Sequence, residues 1–368
     1  MQKKQVAVID VGSSKIKAYV SERGVNNTFL IKSSFTYDYD GFTDGVFLDA
    51  DNVSAIIENA VERLKQSFRK NLSVIYVGVP GSFTKVVVKD SQISFPKKKK
   101  ITDSDVNSLF DGAFVLQSGN YRMINRSAVV YELDDHRKIA NPTGLSSEIL
   151  KGKLSFVLCE NYFLSVVASV IEKNGDISAE CVSSSLAESL YLISEETRDR
   201  VAVLCDIGYI TSTFSIVQGD GLLYQKSFDF GGGFITADIS EKFDLDFEKA
   251  EEVKRKVNIC SLSAGGAYAL IENEGEYYNS NEIKKSVIDS LDSLCENLEN
   301  AIDESGYVLP DYVTLSITGG GISFIRGAKE HIAGRLAMNV EIIAPKVPLM
   351  DKPTESSALS LMNMALNQ

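Results

Sequence analysis

The chain has 368 residues, 44% hydrophobic and 24% charged, which is enough for two domains with cores of their own and too apolar for a disordered tail. Its 50 acids against 38 lysines and arginines leave a net charge of -12, so the average surface repels phosphate backbones and nucleic acid is not an expected partner. Cys159, Cys181, Cys205, Cys260 and Cys295 are odd in number and lack zinc-type or disulfide-type spacing, so buried free thiols are expected.

The opening Met1-Gln2-Lys3-Lys4-Gln5 is charged, and too short an apolar run follows it for a signal-peptide core. No stretch approaches the roughly 18 to 20 apolar residues of a membrane helix, so the cytosol is the expected compartment. Val6-Ala7-Val8-Ile9 is a short apolar run that ends in Asp10-Val11-Gly12-Ser13-Ser14-Lys15. Ile16, Ala18 and Val20 then alternate with Lys17 and Tyr19, so the segment reads as strand, tight turn, strand. A third strand is expected over 28–33 after the turn at Gly24-Val25-Asn26-Asn27. Asp51-Asn52 can cap a helix whose apolar positions Val53, Ile56, Ile57, Val61 and Leu64 recur at helical spacing, and a strand over 74–79 follows. Lys97-Lys98-Lys99-Lys100, after Pro96 and before Thr102-Asp103-Ser104-Asp105, reads as a charged, solvated hinge ending at a helix start, with an anionic contact as the alternative.

Comparing the chain with itself is more informative. Ala7-Val8-Ile9-Asp10-Val11-Gly12 returns as Val203-Leu204-Cys205-Asp206-Ile207-Gly208, and each copy opens a three-strand meander. The second meander continues with an alternating run over 213–217, the turn Gly219-Asp220-Gly221, and a strand over 222–228. Two related α/β units facing one another create a cleft into which each aims an aspartate and a backbone turn. Further along, Ile283, Val287, Leu291, Leu294, Leu298 and Ile302 mark an amphipathic helix over 281–303, with Gly306 just beyond it. A short apolar stretch at 358–366 has no basic face.

The turn at Gly12, Ser13, Ser14 and Lys15 suits a phosphate: small residues let backbone N–H groups approach, while hydroxyls and an ammonium add donors and charge. It is not a Walker loop, because the G-x-x-x-x-G-K-[ST] spacing is absent. Asp10 and Asp206, opposed across a cleft, suit Mg²⁺ held partly through water with nucleotide phosphates as further ligands. Two glycine clusters, Gly231-Gly232-Gly233 and Thr318-Gly319-Gly320-Gly321, sit where apolar strands run into polar segments and permit close approach of backbone to a ligand or simply a tight turn.

In this order the motifs resemble the actin, sugar-kinase and heat-shock ATPase superfamily, and within it the FtsA family of bacterial cell division. The likeness runs almost end to end through Gly45-Val46, Ile101-Thr102-Asp103-Ser104-Asp105-Val106, Asn141-Pro142-Thr143-Gly144-Leu145-Ser146, Thr236-Ala237-Asp238-Ile239, Ala250-Glu251-Glu252-Val253-Lys254 and Ser316-Ile317-Thr318-Gly319-Gly320-Gly321. The resemblance implies an α/β, actin-like (ribonuclease H-like) fold of duplicated domains around a nucleotide cleft, with an FtsA-type inserted subdomain. It divides the chain into a first core subdomain (1–84, 155–195 and 345–368), the insert (85–154), a second core subdomain (196–237 and 307–344) and a smaller second-half subdomain (238–306). It implies ATP and Mg as ligands. Gly12, Ser13, Ser14 and Lys15 would hold β- and γ-phosphates, with Gly208 and Thr211 in the second turn, and Asp10 and Asp206 would hold water-bridged Mg²⁺. Gly232 and Gly233 would lie near the phosphates, Glu251 and Lys254 near the ribose, and Gly319, Gly320 and Gly321 against the nucleoside. Without the resemblance, Glu251 and Lys254 read as an exposed helical ion pair.

Where the family's second turn usually reads Asp-Ile-Gly-Gly-Gly-Thr-x-Asp, this chain has Asp206-Ile207-Gly208-Tyr209-Ile210-Thr211-Ser212-Thr213. A β-branched Ile210 crowds a backbone cradle, and Thr213 replaces an acid, so nucleotide binding is a firmer expectation than hydrolysis and at most a weak ATPase is implied. The family's basic C-terminal helix has no counterpart after Pro345, so membrane contact is expected only indirectly or through a segment missing from this chain. The implied role is a filament-forming adaptor at the inner face of the membrane at the division site, which binds the FtsZ C-terminal peptide through 238–306, self-associates head to tail and contacts other division proteins. The alternative is a PilM-like cytoplasmic platform of a type IV pilus or secretion system. A sugar kinase lacks a supported general base, and His136 and His331 make no catalytic pair; His331 is expected to be solvated.

Overall fold

The apolar run after Lys4 forms β1 (Gln5–Val11), paired antiparallel with β2 (Lys15–Arg23), which pairs with β3 (Phe29–Asp38). These elements belong to a computed structural model that describes residues 5–25, 28–69, 71–113, 119–260, 270–273 and 275–367. A small hairpin, β4 (Phe42–Thr43) and β5 (Val46–Phe47), leads to α1 (Ala50–Ser67), whose N-cap is Asp49, its side chain accepting from the Asn52 N–H at 2.9 Å. The cap thus falls two residues before the expected Asp51. The strand β6 (Val74–Val79) returns parallel to β1.

Next comes an antiparallel sheet of β7 (Thr84–Lys100), β8 (Tyr121–Leu133), β9 (Lys138–Ile139) and β10 (Ser146–Glu160), in the order β7-β10-β8-β9, with α2 (Asp103–Ala113) packed on it through Leu109 and Phe110. The lysines 97–100 are the end of β7, with Lys99 and Lys100 opposite Ser147 and Ser146, so the hinge reading is corrected. Four consecutive cations show no alternation, yet a strand whose two faces are both wet at that end needs none. The chain continues through α3 (Asn161–Phe163), one π turn at Leu164–Ala168 and α4 (Ser169–Glu172) to β11 (Ser178–Ser183), which adds parallel to β6.

After α5 (Ser184–Leu192) and α6 (Glu195–Arg198) the first sheet's plan repeats. β12 (Ala202–Ile207), β13 (Ser212–Gln218) and β14 (Gly221–Phe228) make the meander, α7 (Gly232–Phe243), α8 (Phe247–Lys256), the β15 (Leu270–Asn273) and β16 (Glu276–Asn279) hairpin and α9 (Ser280–Ser305) follow, and β17 (Thr314–Thr318) returns parallel to β12. Then α10 (Ala328–Leu336) leads to β18 (Asn339–Ile342), and α11 (Ser356–Asn367) comes last. The sheet orders, β3-β2-β1-β6-β11 and β14-β13-β12-β17-β18, are the same plan used twice, and the registers agree: Asp10 lies opposite Lys17 and Gly78, Asp206 opposite Thr213 and Thr318.

Both faces of β1 are covered, which is why its sequence is continuously apolar rather than alternating. Ala7, Ile9 and Val11 face a core with Val53, Ile57, Val61 and Leu64 of α1, while Val6 and Val8 face Ala358, Leu359 and Met362 of α11. In the second half Ile283, Val287, Leu291, Leu294 and Leu298 of α9 are buried, each contributing roughly 1.5 to 3 kcal/mol of gross burial. Gly306 ends that helix in the left-handed region at φ 66. Leu186 of α5 packs with Leu204 and Val217 of the second half, and Ala187 with α11, so α5 sits between the two sheets at the floor of the cleft. Of the cysteines, four are buried and Cys260 is exposed, which corrects the expectation for that one thiol.

Candidate functional site

The two Asp-x-Gly turns close in the same way. Gly12 N–H donates to the Lys15 carbonyl at 3.0 Å, and Gly208 N–H to the Thr211 carbonyl at 3.1 Å. At Gly208 a Cβ would come 2.6 Å from the Thr211 carbonyl oxygen, closer than Cβ atoms approach, so the turn admits no side chain there. The turns also touch: Ser13 Oγ accepts from the N–H groups of Tyr209 at 3.2 Å and Ile210 at 3.1 Å. Those two N–H groups therefore already converge on one oxygen, and Ile210 does not prevent it.

Between the turns lies a cavity of about 540 Å³. Asp10, Gly12, Ser13, Ser14, Lys15, Asp206, Gly208, Thr211, Glu251, Lys254, Gly319 and Gly320 all line it, so twelve of the fifteen expected site residues come together. Gly232, Gly233 and Gly321 stand behind the wall instead. Their N–H groups donate to the carbonyls of Gly208 at 2.9 Å, Tyr209 at 2.7 Å and Ile207 at 2.8 Å, so these glycines hold the second turn from outside. Gly319, at φ 88, sets the opposite rim; a Cβ there would lie 2.2 Å from Asp206 Oδ1.

Lys254 is buried, and its ammonium donates to the Gly232 carbonyl and Thr236 Oγ1, each at 2.8 Å, beside Glu251 Oε2 at 2.6 Å. An exposed ion pair is thereby excluded: the group ties α8 to the start of α7. Burial draws Glu251 upward, but the Lys254 charge and the hydrogen bonds from Lys254, Thr236 and Arg255 more than offset it and hold the carboxyl below its usual range. Burial pulls Lys254 downward, with Glu251 opposing. Lys15 reaches outward to Asp38 at 2.5 Å and is half exposed.

The carboxylates on the floor behave differently. Asp10 accepts from Ser357 Oγ at 2.6 Å, and burial raises its pKa against the opposing pull of Ser357 and Lys17. Burial, with the charge of Asp10 adding, pushes Asp206 up to about 7. Glu188 of α5, 1% exposed, is raised well above the usual range by burial and by Asp206 and Asp10. Sequence reasoning missed Glu188, which sits among serines and leucines as an ordinary helical acid does. It also missed the last segment: Lys17 Nζ bridges to Glu355 at 3.1 Å and to the Thr354 carbonyl at 2.9 Å, and Thr354 and Ser357 line the cavity from more than 300 positions away. His331 is not simply solvated, since its Nε2 meets Asp292 at 2.8 Å between α10 and α9.

The fold is shared with solved structures. A chain of the PilM-PilN type IV pilus biogenesis complex superposes with a TM-score of 0.64 at 15% identity over 100% of both chains. MreB 5 of Spiroplasma citri bound to AMPPNP superposes with a TM-score of 0.55 at 11% identity over 99% of this chain and 96% of that one. The protein therefore has an actin-like fold. In sequence, the family model described as Cell division protein FtsA matches residues 203–360. Cell division protein FtsA of Pseudomonas aeruginosa is 20% identical over 351 residues, covering 93% of this chain and 83% of the relative, and that of Escherichia coli (strain K12) is 22% identical over 263 residues, covering 71% and 62%. Within the actin-like class, the chain is a relative of cell division protein FtsA.

Proposed function

We propose that the chain is an ATP-binding, actin-like adaptor of bacterial cell division that works by nucleotide-dependent assembly rather than by metabolic turnover. The observation that carries this reading is the pair of identically closed turns, at Gly12 and Gly208, facing one cavity with Asp10 and Asp206 behind them. The residues fit a nucleotide with its cation. The cavity volume lies in the range of small-molecule sites, and the Gly208 turn admits backbone but no side chain. Buried carboxylates with an unpartnered oxygen among them call for a cation. In this reading Gly12, Ser13, Ser14 and Lys15 hold the terminal phosphates, with Gly208 and Thr211 opposite. Glu251 faces the ribose, Gly319 and Gly320 the nucleoside, and Asp10 and Asp206 hold Mg²⁺ through water. The cation supplies charge neutralisation on the phosphates. The chain's own part is to bind and orient; Thr213, opposite Asp206, spends its hydroxyl on Ser227 at 2.9 Å and offers no base.

Residues 85–154 then form the inserted subdomain and 238–306 the smaller one that receives the C-terminal peptide of FtsZ, with head-to-tail contacts building a filament at the inner face of the membrane at the division site. Among the described residues no helix is long and apolar enough to cross a membrane, which is compatible with attachment through a partner. Purified protein with ATP and Mg²⁺ is expected to form filaments in electron micrographs and to bind an FtsZ C-terminal peptide by fluorescence anisotropy. Failure of both sinks the reading. The full-length superposition on a PilM chain supports a second one, a pilus or secretion platform. Binding of a short peptide from an inner-membrane partner in place of the FtsZ peptide would favour it.

A further inference from the structure

α5 presents two polar side chains one helical turn apart, Ser184 and Glu188, and both line the cavity. Ser184 is 8% exposed and Glu188 1% exposed, and neither Ser184 Oγ nor Glu188 Oε1 has a hydrogen-bond partner. A buried carboxylate oxygen without a donor is costly, and replacing it with an apolar group is the usual remedy. Here the orphaned pair lines the same cavity as Asp10 and Asp206. The nearby ammonium of Lys17 is committed to Glu355 and the Thr354 carbonyl, and that of Lys254 to Gly232, Thr236 and Glu251. Glu188 therefore shares a buried place with two further carboxylates, while the Lys17 and Lys254 ammoniums of the wall are engaged elsewhere.

We propose that Glu188, assisted by Ser184, is a third carboxylate of the cleft's divalent-cation site and holds the cation's water shell together with Asp10 and Asp206. The inference rests on the reading of the cleft as a nucleotide and cation site. Among the described residues no group of three acids, histidines or cysteines stands close enough to grip an ion directly, so the contact runs through water, as suits a small cation that dehydrates reluctantly. The two orphaned oxygens are the acceptors such a shell needs, and the charge of the ion offsets the mutual repulsion of the three acids. A purely structural glutamate would have been given a protein donor; this one has none on Oε1.

The test measures Mn²⁺ affinity by titration calorimetry and by Mn²⁺ paramagnetic resonance on the full chain, with the non-hydrolysable analogue AMPPNP present. Glu188→Gln is expected to weaken Mn²⁺ binding about tenfold, as loss of a water-shell partner does elsewhere, and Ser184→Ala to weaken it less. Melting in EDTA guards against a folding defect: Glu188→Gln should melt no lower than the wild type, because a neutral amide replaces a buried acid, while the stabilisation added by Mn²⁺ should shrink. Glu188→Leu should show the same loss of Mn²⁺ affinity. If Glu188→Gln binds Mn²⁺ as tightly as the wild type while Asp206→Asn does not, the role of Glu188 is refuted and the cation site itself stands. If the wild type binds neither AMPPNP nor Mn²⁺, the reading of the cleft fails and this inference fails with it.

Discussion

Asp206→Asn offers a quantitative test of the cleft floor. In the folded, nucleotide-free protein the Asp206 carboxyl is pushed up to about 7, chiefly by burial, against an ordinary 3.8. A raised carboxyl binds more protons folded than unfolded, so its contribution to stability is fully present below the unfolded value and is lost as pH rises through the folded one. Working the linkage with those two values, the group contributes about 2 kcal/mol at roughly pH 5.5 and almost nothing at roughly pH 8. Asparagine does not titrate. Urea unfolding in EDTA should therefore show wild-type stability falling by about 2 kcal/mol more than that of Asp206→Asn across this window. Glu188 is raised partly by the charge of Asp206, so removing that charge flattens its profile too and widens the difference in the same direction. Parallel pH profiles for the two proteins would refute the placement of Asp206 in a buried acidic floor.

Other substitutions probe the walls. Lys254→Met removes an ammonium that bonds to Gly232, Thr236 and Glu251, and is expected to cost about 2 to 4 kcal/mol in urea unfolding. Gly319→Ala puts a Cβ within 2.2 Å of Asp206 Oδ1 at a left-handed backbone position; it should cost on the order of 1 to 3 kcal/mol and weaken AMPPNP binding measured by calorimetry. Leu291→Ala opens a cavity in the α9 core and should lower stability by about 2 to 5 kcal/mol while leaving AMPPNP affinity unchanged, which separates damage to the core from damage to the cleft.

Much of the fold could be read in the sequence because one short pattern, apolar run then Asp-x-Gly, occurs twice, and each occurrence forces a strand and a tight turn at the same place in its sheet. The α9 stripe was equally plain, since a two-sided helix announces its buried face. The inserted sheet was harder. The strand β7 ends in four lysines, the last two of which pair with Ser147 and Ser146 almost fifty positions away, and no local periodicity records that. The cleft was legible where backbone geometry demands small residues, at Gly12, Gly208 and Gly319. It was not legible where side chains come together through the tertiary fold: Ser357 on Asp10, Lys17 on Glu355, and Glu188 within reach of the charges of Asp10 and Asp206. Gly232, Gly233 and Gly321 show the limit of glycine arguments, because their close approach is to the neighbouring turn and not to the cavity.

The most direct test is a structure of the chain with AMPPNP and Mg²⁺. The account predicts phosphates lodged between the Gly12 and Gly208 turns, Ser13 Oγ released from Tyr209 and Ile210, and the cation within one water shell of Asp10 and Asp206. A nucleotide bound elsewhere on the surface, or a cleft whose Ser13 bridge stays closed at saturating nucleotide, would contradict it.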